Sequence, residues 1–374
     1  MRKKTTVSVI TLNSVKNYGS VLQTFATQSI LQNAGFDVSI VNYIKPGSSD
    51  RDLTKTWIKN SDKNPFIVGI VLQPTIIRWK HVFGNFTKKY LKLSRYKYET
   101  EEDFRTHPVR TDAYCVGSDQ VWNSSWNHGI VKPFYLSYAP DNSFKFSFSS
   151  SIGKSEFEDW EKNDTRQLLR SFNRISVRED NAVRLLDEIG VHGSVHIVDP
   201  TLLEPATFWN QLSETVTPIE EDYLLVYQLN SSHKFDEYAE KVSKQMGLEL
   251  VRLCTRYDQA LKPGKAVLVP SVEQFVCLFQ NAKLVLTDSF HGTAFSVNFN
   301  TAFISIYPDH FSSRIDSLLR LTGLEHRKLS KFSDYDLPEE RIDFTTANKF
   351  LADQRQKADD FLESVKSDLA RVSE

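Results

Sequence analysis

The sequence predicts an α/β protein built on two parallel sheets flanked by helices. Three observations carry that expectation. Short apolar or β-branched runs alternate with segments of helical period along most of the chain. Several of these runs end in a polar loop that opens a helix, the corner at which α/β sheets bind ligands. With 374 residues and 43.0 kDa, the chain is long enough for two such domains.

Val7–Leu12 is the first expected strand, followed by the polar loop 13–20. A helix then follows on Val21, Leu22, Phe25, Ile30 and Leu31, with Ser20 as expected N-cap and Gly35 just past its end. Val38–Val41 completes a βαβ unit. It lacks GxGxxG, so the dinucleotide fingerprint is absent. From Arg51 to Lys97 a run of lysines and arginines faces only Asp52 and Asp62, with aromatic and apolar residues interleaved. The expectation is a helical basic insertion covering the sheet. Its functional alternative is a surface for an anionic partner at a membrane face.

Ala113–Val116 resumes the sheet and runs into Gly117, Ser118, Asp119, Gln120, Val121, Trp122 and Asn123. Lys145–Ser149, Ile175–Val177 and His196–Val198 are further strands. They end in Ser150–Gly153, in Arg178 and Glu179, and in Asp199–Thr201. Each ending is turn chemistry taken singly. Their repetition at strand ends favours a site. Leu202–Glu220, with Pro205 and Pro218, reads as a linker. Strands at Tyr223–Tyr227, Leu248–Leu253, Ala266–Val269, Leu284–Leu286 and Ala302–Ile306 alternate with helices in the second half. The expected domains are 1–205, carrying the insertion at 51–97, then 206–345, then a C-terminal helix at 346–374 packing across both.

The stretch Lys283–Asn298 stands out. An apolar strand ends in Thr287, Asp288 and Ser289, and His291 and Gly292 open a helix. Backbone N–H groups and the helix dipole there suit an anion, and a histidine adds a donor or a charge. The structural alternative is that Asp288 or Ser289 caps the helix and His291 is a partly buried polar residue.

Composition excludes other classes. A hydrophobic fraction of 40% and a charged fraction of 25% exclude wholesale disorder. A net charge of -1 gives no field to attract nucleic acid. Cys115, Cys254 and Cys277 form no CxxC pair, which points to core roles and a reducing compartment. The nine histidines lack metal-site spacing, so no metal is expected. The opening MRKKTTVSVITLN reads as a strand rather than a signal peptide, and no run approaches 18 apolar residues. A cytoplasmic protein is expected, with contact at the inner membrane face as a further possibility; oligomeric state is not legible.

Together, Asn17–Phe36, Cys115–Asn123 (CVGSDQVWN), Ser149–Gly153, Ser176–Asp180, Val198–Leu203 and Thr287–Asn300 (TDSFHGTAFSVNFN) resemble the polysaccharide pyruvyl transferase family. The resemblance implies two Rossmann-like domains facing a cleft, similar to GT-B glycosyltransferases. It also implies transfer of pyruvate from phosphoenolpyruvate, a co-substrate rather than a cofactor, onto a sugar as a cyclic ketal. The acceptor would be a saccharide, lipid-linked or free.

On this reading His291 and Arg178 match residues associated with donor binding in the family, with Ser289, Gly292 and Thr293 beside them. The alternative for Arg178 is an ion pair with Glu179, Asp180 or Asp199. His291 is the candidate acid, Asp119 the candidate base and Asp288 the second candidate. Asn17, Tyr18, Ser118, Trp122 and Asn123 are acceptor-side candidates, Trp122 through a stacking face. The alternative for Asp119 is capping its own loop, and for Trp122 a core position.

Overall fold

The computed structural model describes residues 4–49, 52, 54–55, 65–307 and 313–373. Arg51, Trp57, Lys59, Asp62, Lys63 and His310 lie outside the described residues. By contact the chain divides into two compact units. One comprises Met1–Ser49, Thr87–Leu203 and Ala352–Glu374, the other Asp50–Phe86 and Glu204–Leu351.

The first unit holds strands β1 (Thr6–Ile10), β2 (Asp37–Tyr43), β3 (Leu93–Tyr98), β4 (Ala113–Val116) and β5 (Phe144–Ser147). They form a parallel sheet in the order β3-β2-β1-β4-β5. A short parallel pair, β6 (Ser176–Val177) and β7 (Val195–His196), continues it through single bridges from Phe146 to Arg174 and from Ser150 to Val177. The second unit repeats the permutation. Strands β8 (Tyr223–Tyr227), β9 (Glu249–Cys254), β10 (Lys265–Leu268), β11 (Leu284–Thr287) and β12 (Phe303–Ser305) run β10-β9-β8-β11-β12, again parallel. In each sheet the chain reverses direction of growth beside its first strand. That switch point leaves a crevice at the carboxyl ends.

Five helices matter below: α1 (Tyr18–Asn33), α2 (Pro65–Tyr90), α3 (Asp180–Glu188), α4 (Phe290–Phe299) and α5 (Thr345–Ser373). The cap of α1 is Asn17, not Ser20: the Asn17 side chain accepts from the Gly19 and Ser20 N–H groups. Gly35 follows in the left-handed region at φ 97°, where a side chain is disfavoured. The basic insertion is not helical throughout, because its end is the edge strand β3. Arg95 and Lys97 on an edge strand obscure its period and discourage further pairing.

Up to Phe86 the insertion also groups with the second unit rather than the N-terminal one. Trp79 Nε1 donates to the Thr255 carbonyl at 2.8 Å, Arg78 Nε to that of Val269 at 3.1 Å, and Tyr257 N to Thr75 Oγ1 at 3.2 Å. The expected linker contains helix Ala206–Ser213. Its Trp209 is fully buried and packs edge-on against Phe295. In α5, residues through Leu351 group with the second unit and those from Ala352 with the first. There Arg355 Nε donates to the Leu203 carbonyl at 2.8 Å. The three cysteines are buried and unpaired.

Candidate functional site

In the second unit the corner lies between β11 and α4. Ser289 is the N-cap: its Oγ accepts from Gly292 N at 3.4 Å, and its carbonyl from Thr293 N at 3.0 Å. Gly292 is dictated by packing. A Cβ there would lie 2.3 Å from Thr287 Oγ1, which itself donates to the Tyr227 carbonyl at 2.8 Å. The helix start is thus drawn tight against the strand end. Thr293 is fully buried, with its hydroxyl 2.8 Å from that of Ser305. Gly292 and Thr293 therefore shape the corner rather than reach out of it. His291, the second residue of α4, is buried with its ring edge-on to Phe290.

Asp288 clamps the neighbouring loop. Its Oδ1 accepts from Leu229 N at 2.7 Å, and its Oδ2 from Asn230 N at 2.8 Å and Asn230 Nδ2 at 3.0 Å. Burial pushes its pKa above the ordinary carboxylate value, and these hydrogen bonds pull it back. With three donors on the carboxylate, Asp288 joins the ends of β8 and β11.

In the first unit Asp119 occupies the left-handed region at φ 74°, uncommon for a residue with a side chain and frequent at functional sites. Oδ2 accepts from Ser20 Oγ at 2.6 Å and Oδ1 from Gln120 N at 2.8 Å. Part of the loop-capping alternative is therefore real, while each oxygen keeps a lone pair. Arg178 lies beside it, only 4% exposed. Its guanidinium contacts Asp199 Oδ2 at 2.7 Å, Glu179 Oε1 at 3.2 Å and Asp119 Oδ1 at 3.9 Å. Burial opposes its charge, but the three carboxylates outweigh burial and raise its pKa further. Asp199 also accepts from Ser118 Oγ, Thr201 N and Thr201 Oγ1. The ion pairs anticipated with Glu179 and Asp199 are formed.

The acceptor-side candidates divide. Asn17 caps α1. Tyr18 is buried in the core. Ser118 is fully enclosed and bonded to Asp199. Asn123 is enclosed, with Nδ2 on Gln120 Oε1 at 2.7 Å and Oδ1 accepting from Trp126 N at 3.0 Å. Trp122 corrects the expectation of a sugar-facing ring. It is 1% exposed, donates to the Phe134 carbonyl at 2.9 Å and packs against Tyr135 and Phe172. An indole with a satisfied N–H on an apolar bed is a core residue.

One residue escaped sequence reasoning. Lys45 follows β2 by two positions and is 7% exposed, with its ammonium 3.9 Å from the Trp126 ring centroid. Burial lowers its pKa to about 8 against the opposing pull of Asp119. The signal was present: a lone lysine directly after an apolar strand, at the carboxyl edge of the sheet. Among the described residues no group of three or more His, Cys, Asp and Glu side chains is arranged for a metal. No helix among them is long and apolar enough to cross a membrane.

Paired five-stranded parallel sheets of identical order give a GT-B type of fold. Solved structures agree on the fold. UDP-N-acetylglucosamine 2-epimerase from Rickettsia bellii superposes with TM-score 0.55 at 11% identity, covering 99% of this chain and 98% of that one. UDP-GlcNAc 2-epimerase from Methanocaldococcus jannaschii gives 0.51 at 11% identity, with 93% of each chain covered. No curated protein matches by sequence. The family model for polysaccharide pyruvyl transferase matches residues 17–310, and the chain belongs to that family.

Proposed function

We propose that this protein transfers pyruvate from phosphoenolpyruvate to a sugar of a polysaccharide or its precursor. The observation that supports this most is the capped corner at the N-terminus of α4, with His291 in its first turn, inside the stretch the family model matches. A helix N-terminus favours a phosphate, and a histidine beside it can bind that phosphate or deliver a proton. In the proposed reaction the methylene carbon gains a proton and C2 becomes electrophilic. Two sugar hydroxyls then add to C2, each losing its proton, as the C2–O bond to phosphate breaks. The products are a cyclic ketal and inorganic phosphate. Asp119 is the proposed acceptor of a hydroxyl proton.

A second reading is a glycosyl transfer from a nucleotide sugar, supported by the fold shared with the two UDP-sugar epimerases. The two are separated by incubating the protein with saccharide acceptors and either phosphoenolpyruvate or UDP-sugars, and measuring phosphate and UDP. Acceptor-dependent phosphate release is expected. UDP release alone would transfer the case to the second reading, and neither product would point to a non-catalytic glycan binder. His291→Ala is expected to lower phosphate release by about a hundredfold or more.

The acceptor is proposed to be lipid-linked, with α2 as the membrane-facing element. Its part in the second unit exposes Val71, Ile77 and Lys80. Co-sedimentation with phosphatidylglycerol vesicles, weakened by Ile77→Glu, is the expected result. Equal sedimentation of both proteins would remove this element of the reading.

A further inference from the structure

Lys45 is the cation that the known features leave unexplained. It belongs to the first unit, as do Asp119 and Trp126. Topology gives its place: β2 and β4 both flank β1 in parallel, so Lys45, two residues past β2, and Asp119, three past β4, lie at the same carboxyl end of the sheet. The lysine stem is buried, and the ammonium lies over the Trp126 ring. Yet the ammonium has no hydrogen-bond acceptor among the described residues, and it is not among the enclosed polar atoms. With the stem buried and the ammonium reaching solvent, its three N–H donors are open to something outside the chain.

Charge decides what that something is. Around Asp119 two cations, Lys45 and Arg178, stand against three carboxylates, Asp119, Glu179 and Asp199. The patch carries excess negative charge and disfavours a further anion. A hydroxyl fits better, because it both accepts and donates. Lys45 supplies the donors, and Asp119 retains one lone pair on each oxygen after its bonds to Ser20 and Gln120. We propose that Lys45 and Asp119 together hold a hydroxyl of the saccharide acceptor, with Lys45 contacting the sugar oxygen and Asp119 its proton. This rests on the acceptor being a saccharide, as proposed above, and adds the residue that binds it.

The test compares Lys45→Met and Lys45→Arg with the parent. In the turnover assay Lys45→Met is expected to raise the acceptor KM at least about tenfold, the loss of one charge-assisted hydrogen bond. Donor KM should stay within about twofold, and Lys45→Arg should recover part of the loss. A rise in donor KM instead, or no change in either constant, overturns the assignment. Should the parent protein release neither phosphate nor nucleotide, the functional reading fails separately, and Lys45 is then judged by binding. Saturation-transfer NMR with a panel of methyl hexopyranosides should show contact in the parent and in Lys45→Arg and none in Lys45→Met. Equal signals in all three proteins, or none in the parent, would overturn it.

Discussion

A guanidinium enclosed by three carboxylates serves first to hold strand ends together. Arg178 joins the loops after β4, β6 and β7, and its removal would leave Asp119, Glu179 and Asp199 buried without their cation. Arg178→Met is therefore expected to destabilise the fold by about 3–5 kcal/mol, and adding Asp199→Asn should recover part of that. Urea unfolding of the single and double variants checks this. An unchanged midpoint with a raised donor KM would restore Arg178 as a donor ligand. Lys45 should behave in the opposite way. Burial depresses its pKa to about 8 against the opposing pull of Asp119, and its ammonium lies over the Trp126 ring. Between about pH 8 and 10.5 the folded state binds fewer protons at this site than the unfolded one, so stability rises with pH there. Lys45→Met should then melt higher than the parent at pH 7, and the gap should close as pH approaches 10.5. A lower melting temperature at pH 7 would assign Lys45 a structural role.

At the scale of elements, the β11–α4 corner was largely legible and the acceptor side was not. The corner is local: an apolar strand, a serine cap and a helix follow one another within sixteen residues, so sequence order is spatial order. The Asn17 cap and the identity of β3 were less visible. Asn17 and Ser20 are both good caps, and which one terminates the helix depends on Ser20 being claimed by Asp119, 99 positions away. Trp122 and Trp126 are equivalent by type, and only tertiary packing buries the first while placing Lys45 on the second.

Gly292 tests the corner's geometry. Gly292→Ala is expected to cost about 1–3 kcal/mol through overlap with Thr287 Oγ1. Thr287→Ala in the same chain should relieve most of it, although it also removes the bond to the Tyr227 carbonyl. Full stability of the single glycine variant in thermal melts would mean that α4 stands off the strand.

At the scale of the whole molecule, two sheets share one permutation but differ in how their outer edges are protected. The first is edged by β3, whose own charges discourage pairing. The second is edged by β10, and its neighbourhood is covered by α2, a segment lying more than 150 positions earlier in the chain. The hydrogen bonds from Trp79 and Arg78 end on the carbonyls of Thr255 and Val269, which bracket β10 and the turn before it. Those are backbone acceptors at strand ends, where unpaired groups invite exchange with water. Trp79→Ala removes a buried indole and its donor, so amides of residues 249–268 should exchange faster with deuterated water. Amides of β1, β4 and β5, in the other unit, should be unchanged. Faster exchange in both sheets would mean that the insertion supports the whole chain as one cooperative body. Faster exchange in the first sheet alone would return the insertion to the N-terminal domain, where its sequence position suggests it belongs.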